Sequence, residues 1–346
     1  MAAVTSLLII FVCIYLLAII TDEYFIVSLD QISKRLKLPN DVAGASLMAM
    51  GSSAPELAIA LLALFKGSGE HSDLGIATIV GSAVFNVLVI TGVSAIARPA
   101  VVSWRVVVRD VVMYVASIAL LLTTFADGNI TLLEAFAFMG VYFIYLIVLF
   151  NWKSGVEEVE VPEVPHEEHA PKGLFGRITH VVSTGIGFLM GDAEKSYVRA
   201  FLVSVGLIGL ISWFLVEYAI VFSDAVGIPP VIVALTILAG GTSIPDMIAS
   251  IVVARQGRGE MAVANAIGSN IFDILVGLGI PWIIAILVLG NEIHVGTGGL
   301  WTSTIILLAT VLLVFVFLTT ERTLTRREGW ILVATYGGYI AWTLLA

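Results

Sequence analysis

The chain has 346 residues, of which 59% are hydrophobic and 12% charged, with a mean hydropathy of +1.04. Globular soluble chains run roughly 45–50% apolar and about 25% charged, so this composition belongs to the membrane class. A net charge of -9, with no basic patch that could hold a phosphate backbone, argues against nucleic acid. The lone Cys13 excludes an intrachain disulfide or thiolate cage. The five histidines (His71 and His294 in loops, His166, His169 and His180 in a linker) lack metal-ligand spacing.

The first twenty residues lack a basic leader, and no small-residue cleavage site precedes Thr21-Asp22-Glu23, so they are expected to form a transmembrane helix. Stretches of about 20 apolar residues fall at 4–31, 41–66, 74–97, 106–126 and 130–151, then at 198–223, 229–254, 261–287, 298–319 and 329–346. Pro39-Asn40, Asp127-Gly128-Asn129, Gly227-Ile228-Pro229-Pro230 and Gly290-Asn291 mark turns between them. The expected fold is therefore an all-α membrane protein of ten transmembrane helices. It comprises a first five-helix unit (1–152), an acidic linker (153–197) and a second five-helix unit (198–346). The linker carries Glu157, Glu158, Glu160, Glu163, Glu167 and Glu168 with Pro162, Pro165 and Pro171, and reads as a solvated connection. Gly173–Gly191 is too short and too interrupted to span and is expected to lie at the interface.

With the N-terminus outside, sixteen of the 17 Lys and Arg residues fall in cytoplasmic connections: Lys34, Arg35, Lys37, Arg98, Arg105, Arg109, Lys153, Lys172, Arg177, Lys195, Arg199, Arg255, Arg258, Arg322, Arg326 and Arg327. Only Lys66 lies outside. The positive-inside bias thus predicts a multi-pass protein of the cell membrane with both termini outside.

The two units are related in sequence. Gly51-Ser52-Ser53-Ala54-Pro55-Glu56 recurs as Gly241-Thr242-Ser243-Ile244-Pro245-Asp246, within segments 41–97 and 229–287. Gly81-Ser82-Ala83-Val84-Phe85-Asn86 recurs as Gly268-Ser269-Asn270-Ile271-Phe272-Asp273, and Glu23-Tyr24 resembles Glu217-Tyr218. An odd number of spans per copy places the second copy upside down, an arrangement common among secondary transporters with interrupted helices near the midplane.

The chemistry of the repeats is that of a hard-cation site. Pro55 and Pro245 cannot donate to the carbonyls of Gly51 and Gly241 four residues back, so both helices are expected to be discontinuous there. Ser52, Ser53, Thr242 and Ser243 add neutral oxygens of the kind that suit Ca²⁺ or Na⁺. Glu56, Asp246 and Asp273 lie inside predicted spans, where an ionised carboxylate costs about 2.5–3.5 kcal/mol even on the lenient insertion scale. No Lys or Arg neighbours them in sequence, so bound cations are the expected counter-charge. Ser82/Asn86 and Ser269/Asp273 are i,i+4 pairs that present both oxygens on one helix face. Asn86 opposite Asp273 limits the site to three negative charges, which one Ca²⁺ and one monovalent ion would neutralise, as would three Na⁺. Glu23 and Glu217 are placed at opposite depths, where vestibule and ordinary interfacial roles both remain open. Asp22 and Asp30 read as interfacial.

Gly51 to Glu56, His71 to Asn86, and Gly241-Thr-Ser-Ile-Pro-Asp246 through Gly268-Ser-Asn-Ile-Phe-Asp273 resemble the paired alpha repeats of sodium/calcium exchangers. Within the calcium/cation antiporter superfamily the likeness is to the potassium-dependent branch. The resemblance covers both five-helix units and is sharp only in the repeats. It implies Na⁺-driven Ca²⁺ antiport by alternating access, with Glu56 and Asp246 ligating Ca²⁺. Ser52, Ser53, Ser82, Asn86, Thr242, Ser243 and Ser269 would complete the coordination, and Asp273 is linked to K⁺ use. The implied partners are inorganic cations and the bilayer; no cofactor or enzymatic activity is implied, and oligomeric state stays open. The chain lacks the long regulatory loop and extended N-terminal segment of animal members. H⁺/Ca²⁺ exchange would be expected to carry a Gly-Asn…Glu style motif. A channel lacks its ring of like charges, and an intramembrane enzyme lacks a nucleophile–base pair.

Overall fold

The computed structural model describes residues 2–36, 49–66, 72–102, 104–151, 185–192, 196–255, 257, 259–290, 292–320 and 322–345. Pro39-Asn40, His71 and the acidic stretch 156–172 lie outside the described residues. A backbone with no water to bond must satisfy itself within each segment, and the described residues are helical nearly throughout. In order come α1 (Ala2–Leu36), the short α2 (Ala49–Ser52), α3 (Ala54–Phe65), α4 (Ser72–Ala97), α5 (Trp104–Thr124) and α6 (Leu132–Asn151). The second half runs α7 (Tyr197–Val226), α8 (Pro230–Thr242), α9 (Ile244–Arg255), α10 (Gly259–Leu289), α11 (Thr297–Thr320) and α12 (Arg326–Leu345). These boundaries follow the expected spans to within a few residues, except the start of the second span at 41 and the end of the last at 346, which lie outside the described residues. π-helical turns widen α1 at Thr21–Phe25, α4 at Asn86–Ile90 and α8 at Ala234–Leu238.

Among the described residues seven helices are long and apolar enough to cross a membrane, or eight when α8 and α9, bent by 43°, count as one broken span. The ten expected spans are therefore not all recovered by length and hydropathy. α3 has only 12 residues, and the segment before α2 lies outside the described residues. In α12 the Gly337-Gly338 pair and Trp and Tyr side chains dilute the aliphatic run.

Helix packing relates the halves. α1 lies along α7, and α5 along α11. α6 packs on α10 as α12 packs on α4, α3 on α10 as α9 on α4, and α5 on α10 as α11 on α4. Two short β pairs follow the same exchange. β1 (Ala100–Val101) pairs antiparallel with β4 (Thr323–Leu324) at one end of the bundle, and β2 (Asn129–Ile130) with β3 (Ile293–His294) at the other. Even the caps repeat. At the start of α6 the Thr131 backbone N–H donates to the Glu134 carboxylate while the Glu134 N–H donates to the Thr131 hydroxyl; Thr325 and Glu328 do the same for α12. Each is a capping box.

Charge sorts with the two ends. Arg98, Arg255, Arg322, Arg326 and Arg327 gather near the β1–β4 end, where the Arg98 guanidinium donates to the Arg255 carbonyl. Arg109 departs from the expected pattern. It lies one turn inside α5 and makes a largely buried, two-pronged ion pair with Asp110 at 2.7 and 3.1 Å, a fork that guanidinium suits. Of the segment 173–191, residues 185–190 form a helical turn too short to span, and the Arg199 guanidinium donates to the Leu189 carbonyl. Asp30 pairs with Lys34 one turn on.

Close helix approach centres on Gly81, where a Cβ would sit 2.5 Å from the Leu235 carbonyl oxygen and 2.8 Å from its Cα. Its sequence counterpart Gly268 meets only the Tyr145 hydroxyl at 4.0 Å. Gly81→Val is expected to cost at least about 1–3 kcal/mol by overpacking α4 against α8, read as loss of monodisperse protein after graded heating. Gly268→Ala should match the parent in the same assay.

Candidate cation site

Both repeats of Gly-Ser/Thr-Ser-x-Pro-acid sit at helix breaks. α2 ends at Ser52 and α3 restarts at Ala54, with Pro55 in its first turn, where a missing N–H is tolerated. α8 ends at Thr242 and α9 restarts at Ile244. Glu56 and Asp246 thereby lie in the first turns of α3 and α9, where the helix dipole favours negative charge. Gly51 and Gly241 face the side chains of Ile26 and Ile14, so both breaks rest on α1.

The predicted residues come together across the two halves. The Thr242 side chain faces the Glu56 carboxylate, and Ser53 faces Asp273. Ser82 on α4 and Ser243 at the α8–α9 break share a 2.8 Å hydroxyl hydrogen bond. Glu56, Ser53, Ser82, Asn86, Thr242, Ser243, Ser269 and Asp273 are all buried. Ser52 and Asp246 are half-buried because they line a narrow cavity with Thr21, Asp22, Pro55, Thr242 and Pro245. Ser269 donates to the Asn265 carbonyl of its own helix.

Three buried oxygens in this cluster have no hydrogen-bond partner: Glu56 Oε2, Asn86 Oδ1 and Asp273 Oδ1. All are acceptors, and a dehydrated cation satisfies acceptors where a donor is lacking. Among the described residues no group of three or more His, Cys, Asp or Glu side chains closes into a metal cage. The carboxylates need the hydroxyl and amide oxygens around them to complete a coordination shell.

Comparison with known proteins gives a concordant result. The family model described as "Sodium/calcium exchanger protein" matches residues 6–151 and 196–345, both units without the linker. The chain belongs to the sodium/calcium exchanger family. Human sodium/potassium/calcium exchanger 5 is 32% identical over 342 aligned residues, covering 78% of this chain and 68% of the relative. Human sodium/potassium/calcium exchanger 4 is 26% identical over 496, covering 96% and 79%. Among solved structures, the sodium-calcium exchanger NCX_Mj aligns with a TM-score of 0.60 at 20% identity, covering 98% of this chain and 99% of that one. The H⁺/Ca²⁺ exchanger CAX aligns with a TM-score of 0.73 at 16% identity, covering 99% and 82%. At these identities the two structures establish a shared fold. The chain is accordingly a multi-pass membrane protein of the exchanger family.

Four features of this exchanger-family site escaped the sequence reading. Asn270 is fully buried and was quoted only as part of its motif. Its amide oxygen accepts from Asn86 Nδ2 at 2.8 Å, and its own Nδ2 donates to the Ala83 carbonyl at 3.1 Å and the Tyr114 hydroxyl at 2.9 Å. That chain of bonds turns the Asn86 side-chain oxygen Oδ1 away, leaving it among the unpartnered acceptors. An amide replacing Ala83 within an apolar span was the available signal. Asp22 does not behave as an ordinary interfacial residue: it lines the cavity beside Asp246, because the π-turn of α1 rotates Thr21 and Asp22 toward the breaks. Thr21 lines the same cavity and carried no charge to draw notice. Glu217 forms an ion pair with Lys66, whose ammonium also lies 4.3 Å from the Trp213 ring centroid. Glu23 does not line the cavity.

Asn270→Leu removes the partner of Asn86, Ala83 and Tyr114 at once. At about 1–3 kcal/mol per orphaned buried group, the expected outcome is a large fall in thermal midpoint. Ser82→Ala, which removes one of two mutually bonded hydroxyls, should cost about 1 kcal/mol by the same measurement.

Proposed function

We propose that this chain exchanges Na⁺ for Ca²⁺ across the membrane by alternating access, carrying K⁺ with Ca²⁺. The observation that carries the reading is a buried cluster of acceptors, with carboxylates from both halves and, among the described residues, no basic side chain in an ion pair with them. Charge matching inside a low-dielectric site then falls to the transported ions. Family membership supports Ca²⁺ and Na⁺ as the ions. The names of the human sodium/potassium/calcium exchangers support K⁺ as a third.

In this reading Glu56 and Asp246 are the Ca²⁺ ligands, one from each helix break. Ser52, Ser53, Thr242, Ser243, Ser82, Ser269, Asn86 and the Gly51 and Gly241 carbonyls serve Na⁺ and Ca²⁺. Asp273, opposite the neutral Asn86, serves K⁺. The ten helical runs form two inverted five-helix units with both termini outside. The matching of packing pairs, β pairs and capping boxes under exchange of the halves supports that arrangement, as does the gathering of arginines at one end.

Alternating access has a local counterpart. α3 packs along α7 and is clamped by the Lys66–Glu217 pair, whereas α1 and α9 make no comparable packing among the described residues, and the cavity lies between them. The two seams are counterparts under exchange of the halves, so one is closed where the other is slack.

Purified protein in vesicles loaded with Na⁺ should take up ⁴⁵Ca²⁺ when diluted into Na⁺-free buffer, faster with external K⁺. Uptake driven by a pH gradient alone would replace this reading with proton exchange. Flux at channel speed, indifferent to the opposing ion, would replace it with a channel. Glu56→Gln and Asp246→Asn are each expected to abolish Ca²⁺ uptake while eluting as folded protein. Asp273→Asn should keep Na⁺/Ca²⁺ exchange and lose K⁺ stimulation; retained K⁺ stimulation would remove Asp273 from that role.

A further inference from the structure

The cavity between α1 and the two helix breaks adds two polar residues of α1, Thr21 and Asp22, to members of the ligand set above. Its polar lining is Thr21, Asp22, Ser52, Thr242 and Asp246, and it has room for about one water-sized particle. Thr21 is 4% exposed, and its Oγ1 is buried with no hydrogen-bond partner. A hydroxyl left unpartnered inside a membrane protein costs free energy unless an ion or water meets it. Asp22 stands next to it at the exposed mouth, within electrostatic range of Asp246. Two like charges facing one small polar cavity are stabilised by a cation between them.

The local backbone is unusual. α1 is π-helical over Thr21–Phe25, whereas its counterpart α7 is α-helical without interruption from Tyr197 to Val226. π-turns of this kind concentrate at functional sites. Alignment of Glu23-Tyr24 with Glu217-Tyr218 places Leu215 and Val216 opposite Thr21 and Asp22, and both are fully buried. The first half thus puts a hydroxyl and a carboxylate where the second half has two aliphatic side chains.

We infer that Thr21, Asp22, Ser52, Thr242 and Asp246 form an additional subsite for a hard monovalent cation, adjoining the Ca²⁺ site and sharing Asp246 with it. Asp22 raises the negative charges from three to four, which accommodates one further monovalent ion. Because the second half has no equivalent, the subsite exists on one side of the exchanger only. An ion there is bound in one access state and lost in the other, which biases the cycle.

The inference rests on the antiport reading for its consequence but can be tested separately, by equilibrium binding to purified full-length protein in detergent. ²²Na⁺ binding without Ca²⁺, and ⁴⁵Ca²⁺ binding without Na⁺, are measured for the parent, Asp22→Asn, Asp22→Glu and Thr21→Val. The subsite predicts that Asp22→Asn loses one bound Na⁺ per chain at saturation. Thr21→Val should raise the half-saturating Na⁺ concentration about tenfold, the equivalent of one charge-assisted contact. Asp22→Glu should keep the parent stoichiometry, and Ca²⁺ half-saturation should move less than about twofold in all three. Unchanged Na⁺ stoichiometry in Asp22→Asn would overturn the inference. So would an effect confined to Asp22→Asn with Thr21→Val like the parent, since that marks long-range attraction, and so would equal weakening of Na⁺ and Ca²⁺. A parent that binds Na⁺ but no Ca²⁺ would instead sink the antiport reading and leave the subsite standing.

Discussion

An ionised carboxylate inside a bilayer has to meet positive charge or donors, and this chain places Glu56 and Asp273 in its interior with oxygens that meet neither. The neighbouring architecture follows from that constraint. Two helices break at Ser53 and Ser243, so Glu56 and Asp246 sit in first turns where the helix dipole offsets part of their charge. Hydroxyls crowd the breaks, and the Ser82–Ser243 bond ties α4 to the α8–α9 junction. Outside the site, basic residues pair elsewhere: Arg109 with Asp110, Lys34 with Asp30, Lys66 with Glu217. Among the described residues no ion pair reaches the central acids.

Exchange of the two halves maps most of the packing onto itself, and the departures cluster around the candidate site. Ala83 against Asn270 is the first. One copy contributes only its backbone carbonyl, and the other contributes an amide that bonds to it and fixes Asn86. Asn86 against Asp273 is the second, removing one charge. Thr21-Asp22 against Leu215-Val216 is the third, adding polar lining on one side only. A strictly symmetric site would treat the two faces of the membrane alike. Substitutions at a few positions break that equivalence while the surrounding apolar packing keeps the scaffold common to both halves.

The helical runs and the breaks were legible because each rests on a local rule. Long apolar stretches must be helical in lipid, and Pro55 and Pro245, each two residues after a hydroxyl pair, lack the N–H that would carry the helix across the break. What escaped was set by rotation about helix axes. Asp22 and Glu23 are adjacent in sequence and equally acidic, yet only Asp22 lines the cavity, because a π-turn inserts one extra residue and turns that face inward. Arg109 counts among the cytoplasmic connections, yet it lies within α5, where Asp110 beside it supplies a partner. Lys66 and Glu217 are far apart in the chain and meet only through the packing of α3 on α7. Spacing in one dimension carries no record of such contacts.

The slack and closed seams also bear on how much free energy the proposed cycle requires. Moving a two-state equilibrium from 1:99 to 99:1 takes about 5.5 kcal/mol of differential binding. The seam that is closed is held by a half-exposed ion pair, worth about 0.2–1 kcal/mol, and a cation–π contact of about 0.5–2 kcal/mol, with Lys66 in both. These are weak clamps, and the remaining contact along α3 and α7 is helix packing that the opposite seam can regain when it closes. In the proposed cycle a near-symmetric bundle starts close to balance between its two access states. Ion binding would then have only to tip it, through the acceptors around the two breaks. Rigid packing on both seams would deny the ions a route. Slackness on both would let them through uncoupled.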